Sequence, residues 1–91
     1  MTRHATPNFF LRRRRALRRP DGRPLSQQDI AVRLSCVCAT IGNWERDEVL
    51  PPLSQVGAIA RAYELSVAEV EKQILAQNAR MGGRAVAVSA D

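Results

Sequence analysis

Few residues in this chain are equipped for covalent chemistry. His4 is the single histidine, and it precedes the first helical pattern. Cys36 and Cys38 stand one residue apart. That spacing is too short for a useful structural disulfide, and two cysteines without further ligands do not make a zinc site. There is no glycine-rich phosphate loop. The carboxylates fall at helix caps and on solvated faces. These residues imply no catalytic site, no metal and no cofactor, and they argue against an enzyme. What the chain does carry is charge in one place. Residues 1–24 hold eight arginines (3, 12, 13, 14, 15, 18, 19 and 23) against Asp21, a net of +7. Residues 25–75 carry a net of −3, and residues 76–91 a net of +1. An arginine block of this kind attracts phosphates and releases their counterions. It can equally serve as a solubilising arm.

The elements that would position these residues are helical. The 91 residues fit one domain with a small core. Residues 1–7 read as a flexible tail. Helix one is expected over 8–18, with Asn8 as N-cap. Its Phe10, Arg14 and Leu17 share one face, so an arginine points inward and requires a buried acidic partner. Pro20-Asp21-Gly22-Arg23-Pro24 reads as a loop. Helix two starts after the N-cap Ser26, with Asp29 three residues on. Ile30, Ala31 and Leu34 form its apolar stripe. Helix three is expected over 37–46, with Ile41 and Trp44 facing in. After Pro51-Pro52, helix four is expected over 53–63. Ser66 and Glu69 form the capping box of helix five, whose inner face is Val67, Val70 and Ile74. The folded domain is thus expected over 8–75, followed by a C-terminal tail, 76–91, that is flexible or dimerising. The fold class is all-α, a compact five-helix domain. No apolar run approaches the roughly 20 residues of a membrane span, and the N-terminus lacks the pattern of a secretory signal. A cytoplasmic protein without membrane contact is the expectation.

Helices two and three carry the functional signal. They are separated by a turn of about three residues, with small Ala31 where one helix crosses the other. This is the helix-turn-helix layout, in which the second helix enters the DNA major groove. From Leu25 the chain reads L-S-Q-Q-D-I-A-V-R-L-S-C-V-C-A-T-I-G-N-W-E-R-D, then E-V-L-P-P, then L-S-Q-V-G-A-I-A-R-A-Y-E-L-S-V-A-E-V. It resembles the Cro/C1 (XRE) family, whose pattern is L-S-Q-x-x-L-A-x-x-L-G-V-S-x-x-T-I-S-x-W-E-x-G. The match runs ungapped from Leu25 to Val70 and implies a lambda-repressor-like fold.

The resemblance implies roles residue by residue. Arg14 pairs with Glu45 of the W-E dipeptide, with Arg15 as the rival partner. Gln27 touches the DNA backbone and steadies the start of the recognition helix. Val37, Cys38, Ala39, Thr40 and Asn43 lie where family members reach base edges. Asn43 can pair bidentately with adenine N6 and N7, Thr40 can reach a phosphate, and Val37 or Ala39 can touch a thymine methyl. Arg46 resembles a phosphate contact. Arg12, Arg13, Arg15, Arg18, Arg19 and Arg23 would add phosphate contacts from the basic block. The chain also departs from the pattern. Ser35 replaces the turn glycine and Val37 the capping serine. Asp47 replaces the glycine after W-E-x, and with Glu48 it is expected to lie near phosphates and repel them.

The function this implies is sequence-specific binding of double-stranded DNA by a small transcriptional regulator, a homodimeric repressor. The alternative is a protein-interaction module on the same fold, suggested by the acidic core segment and the apolar Val37-Cys38-Ala39 face. A redox switch at Cys38 is a weaker idea than an inert small side chain there.

Overall fold

The computed structural model describes residues 8–82. Five helices follow in order: α1 (Phe9–Ala16), α2 (Gln27–Leu34), α3 (Cys38–Glu45), α4 (Val56–Tyr63) and α5 (Val67–Arg80). One turn of 3-10 helix, Leu53–Gln55, precedes α4. Among the described residues, extended pairing is limited to one isolated antiparallel bridge between Arg18 and Pro24.

Side chains set the helix starts. Asn8, Ser26 and Ser66 each accept a hydrogen bond from the backbone N–H three residues on, satisfying a donor that has no partner within the helix. At Ser26 the box is reciprocal, because Asp29 accepts from the Ser26 N–H at 2.8 Å. The bond from the Ser26 N–H, foremost, holds the Asp29 carboxyl below its ordinary pKa, with the Ser26 hydroxyl and the nearby Arg19 and Arg33 adding to the shift. Val37 precedes α3 without a side-chain cap.

Two boundaries differ from the sequence expectation. Helix α1 stops at Ala16, short of Arg18. Leu17 leaves the helix in an extended conformation and accepts a bond from the Leu25 N–H at 3.1 Å, which buries both leucines. Helix α4 starts at Val56 rather than Leu53, because Gln55 sits at φ −112°, ψ 19° and interrupts the helix.

Helix α5 also runs past Ile74, ending at Arg80; of its expected inner face Val70 and Ile74 are buried, whereas Val67, in its first turn, is exposed. The inner face continues with a polar side chain. Gln77 is fully buried and donates through Nε2 to the Trp44 and Val49 carbonyls at 3.3 and 3.2 Å.

The core is one cluster of Phe10, Leu17, Leu25, Ile30, Ala31, Ile41, Trp44, Ile59, Ala60, Ala62, Tyr63, Val70 and Ile74. Phe10 meets Tyr63 edge-to-face at 5.3 Å, the arrangement that opposes ring edge to ring face. Helices α2 and α3 cross over fully buried Ala31. The turn between them depends on Ser35, which takes the left-handed conformation at φ 56°, ψ 42°. A non-glycine residue there carries a strain of about 1 kcal/mol. Asp47 and Glu64 adopt the same conformation beyond the ends of α3 and α4.

Candidate nucleic-acid interface

Helix α3 presents two unlike faces. Ile41, Gly42, Trp44 and Glu45 are buried. Val37 is 67% exposed, Ala39 is exposed, and Cys38, Thr40 and Asn43 are half-buried. Of the side chains expected to reach base edges, Val37, just before α3, and Ala39 are thus open to solvent, whereas Cys38, Thr40 and Asn43 are partly covered. Thr40 also borders an apolar cleft of about 390 Å³ that includes Leu34, Cys36, Trp44, Val49 and Leu50.

The inner face is held by a buried charge. Arg14 donates to Glu45 through Nε at 2.6 Å and Nη2 at 2.9 Å, a bidentate pair of the strong, directional kind. Its Nη1 donates to the Leu25 carbonyl at 2.9 Å. The side chains of Arg14 and Glu45 are only 12% and 3% exposed. The hydrogen bond to Glu45 raises the Arg14 pKa, against the opposing effect of burial. Arg15 lies exposed on α1.

Gln27, the first residue of α2, completes this cluster. Its Nε2 donates to Glu45 at 3.0 Å. Its Oε1 accepts from the Cys38 thiol at 3.7 Å. Gln27 thus bridges the buried ion pair to the first residue of α3. Cys38 is correspondingly half-buried rather than fully exposed. Burial pushes the Cys36 thiol pKa up, with Cys38 adding to the shift.

Asn43 and Arg46 form a second, outer cluster. Arg46 Nη2 donates to Asn43 Oδ1 at 2.7 Å. The same guanidinium meets Glu48, with Nε at 3.2 Å and Nη2 at 3.3 Å. It lies over Gly42, where a Cβ would stand 2.9 Å from Arg46 Nη1 and 3.4 Å from Gln27 Oε1.

Asp47 has a role that the sequence reading missed. Its carboxylate accepts from Arg80 at 3.0 and 3.2 Å and from Asn8 Nδ2 at 3.0 Å. Asn8 Nδ2 also donates to the Trp44 carbonyl at 2.7 Å. Burial alone would raise the Asp47 pKa. The bonds from Arg80 and Asn8 outweigh it and leave the carboxyl below its ordinary value. Both acids expected to repel phosphates are thus paired with arginines, Asp47 with Arg80 and Glu48 with Arg46.

The basic block is divided between tasks. Arg13 closes the C-terminal end of α4, donating to the Tyr63 and Glu64 carbonyls at 2.9 and 2.6 Å. It therefore serves the fold rather than a phosphate surface. Arg19 lies 3.9 Å from both Asp21 and Asp29, and Arg23 lies 3.3 Å from Asp21. Arg18 donates to the Arg15 and Leu17 carbonyls. Arg12, Arg15 and Arg18 are exposed. Among the described residues, no group of three or more His, Cys, Asp or Glu is placed to hold a metal. No described helix is long and apolar enough to cross a membrane.

The geometry of α2 and α3 agrees with comparison to known families. Residues 9–73 match the family described as a helix-turn-helix domain. The chain belongs to this family. No curated protein and no solved structure matches it. DNA binding and transcription regulation are what membership carries, and such domains are typically not enzymes. In helix-turn-helix terms, α2 and α3 are the first and second helices of the motif.

Proposed function

We propose that this protein is a Cro/C1-type regulator that binds double-stranded DNA sequence-specifically and acts as a homodimeric repressor. The observation that carries the reading is the outer face of α3. It stands clear of the core, while Glu45 on its inner side is fixed by Arg14 and Gln27. A recognition helix needs such rigidity, since a reading side chain displaced by about 1 Å loses its hydrogen bonds.

In this reading α3 enters the major groove. Asn43 reads adenine, and Val37, Cys38 and Ala39 line the groove floor. Thr40, Gln27 and Arg46 meet the backbone at the rim. Arg12, Arg15, Arg18 and Arg19 add phosphate contacts, and a second copy reads the other half-site.

Fluorescence anisotropy with a labelled random-sequence duplex across a salt series tests the electrostatic part. Five arginine–phosphate contacts per protomer, Arg46 included, give a slope of log K against log salt of about −4.5. Asn43→Ala on a selected site tests base reading, with a loss of about 1–3 kcal/mol expected. Absence of binding at low salt would turn the reading to the protein-interaction module, and a pull-down through the Val37-Cys38-Ala39 face would follow.

A further inference from the structure

We propose that Glu48 limits the affinity of this protein for DNA by holding Arg46 against Asn43, so that a backbone phosphate must displace Glu48 before Asn43 can read a base. The inference rests on the DNA-binding reading above and deepens it.

Three observations support it. First, the oxygen that Asn43 needs for adenine is already engaged, with one of its two lone pairs committed and the amide turned toward Arg46. Bidentate pairing requires its Oδ1 to accept from N6 while its Nδ2 donates to N7. In the free protein Oδ1 accepts from Arg46 at 2.7 Å. Second, Arg46 is held by more than Asn43. Glu48 Oε1 and Oε2 both take up its guanidinium, at 3.3 and 3.2 Å. Third, the backbone fixes the geometry. The Glu48 and Val49 N–H groups both donate to the Asn43 carbonyl, at 2.9 and 3.3 Å. That turn folds Glu48 back beside the residue it controls. Gly42 leaves the space in which the guanidinium lies, next to Gln27.

A backbone phosphate, through its two non-bridging oxygens, offers Arg46 the same bidentate geometry as a carboxylate. Exchange of Glu48 for phosphate draws the guanidinium outward and releases Asn43 Oδ1. Backbone contact and base reading then become one coupled step. Arg46 and Glu48 are 56% and 57% exposed, so the clasp is weak enough to open. An exposed ion pair of this kind corresponds to about a two- to fivefold effect on affinity.

The test is a double-mutant cycle on the full chain, read by anisotropy with a labelled random-sequence 20-bp duplex at fixed low salt, with far-UV circular dichroism as a fold control. Glu48→Gln is expected to tighten binding about two- to fivefold. In an Arg46→Gln background the same change is expected to give less than about half of that gain, because no clasp is left to open. Equal gains in both backgrounds would mean that Glu48 merely repels phosphate, and would overturn the proposal while leaving the DNA reading intact. Wild-type binding with no gain in Glu48→Gln would overturn it as well. If none of the four proteins binds any duplex, the DNA-binding reading itself fails and the clasp fails with it.

Discussion

Glu45→Gln is the sharpest test of how the reading helix is held. The substitution keeps the size and the Gln27 neighbour but removes the charge and turns an amide toward Arg14. Glu45 accepts two bonds from Arg14 and one from Gln27, with its side chain 3% exposed. Breaking one half of a buried pair costs about 3–5 kcal/mol, because the surviving charge is stranded. Small domains are stable by about 5–15 kcal/mol, so the loss consumes a large share of the total. At about 4–8 °C per kcal/mol for a domain of this size, the midpoint of thermal unfolding should fall by on the order of 12–40 °C. Urea unfolding followed by circular dichroism at 222 nm gives the free energy directly. The double change Arg14→Met with Glu45→Met removes both charges and should recover much of the loss. A single variant within about 1 kcal/mol of wild type, or a double variant worse than the single, would refute the reasoning.

Other outcomes follow from the same contacts. Asp47 has a lowered pKa, so its contribution to stability is present above the ordinary value of 3.8 and is lost as pH falls through the folded value; Asp47→Asn should make the acid limb of the stability–pH curve shallower, as read by urea midpoints from about pH 5 to 2. Gly42→Ala should raise stability by about 0.5–1 kcal/mol, since the nearest obstacle is the far end of Arg46; a lower urea midpoint would show that the guanidinium cannot move aside. Among the described residues the fully buried Tyr63 hydroxyl has no hydrogen-bond partner, and burial, foremost, raises its pKa. Tyr63→Phe should therefore be neutral or stabilising by up to about 1 kcal/mol, and a loss in calorimetry would reveal an overlooked partner.

The α2–α3 unit was legible because several local signals coincide there. A capping box, an apolar stripe, a small residue at the crossing and a buried Trp44 all agree. The buried Arg14 was legible because its position on an apolar face demanded an acid. The roles of Asp47 and Arg13 were not legible. Each acts through a partner more than 30 residues away, Asp47 with Arg80 and Arg13 with Tyr63, and no short-range pattern announces such a pair. Gln77 was hidden differently. It sits in register with Val70 and Ile74, yet a glutamine in an apolar stripe reads as the end of the stripe. Its meaning emerges only when the Trp44 and Val49 carbonyls are seen beneath it.

The fastening of α3 to the end of α5 also orders events in time. Trp44 lies in the last turn of α3, and its carbonyl takes bonds from Asn8 near the start of the domain and from Gln77 near its end. Asp47 likewise joins Asn8 to Arg80. A chain emerging from the ribosome therefore presents α3 some 30 residues before Gln77 and Arg80, the last of the side chains that fasten it, are made. Until Gln77 and Arg80 arrive, α3 is held on its inner side by Arg14 and Gln27 but lacks its fastening to α5. The last fastening of α3 is thus acquired late in synthesis, and an incomplete chain that stalls before α5 carries α3 without it.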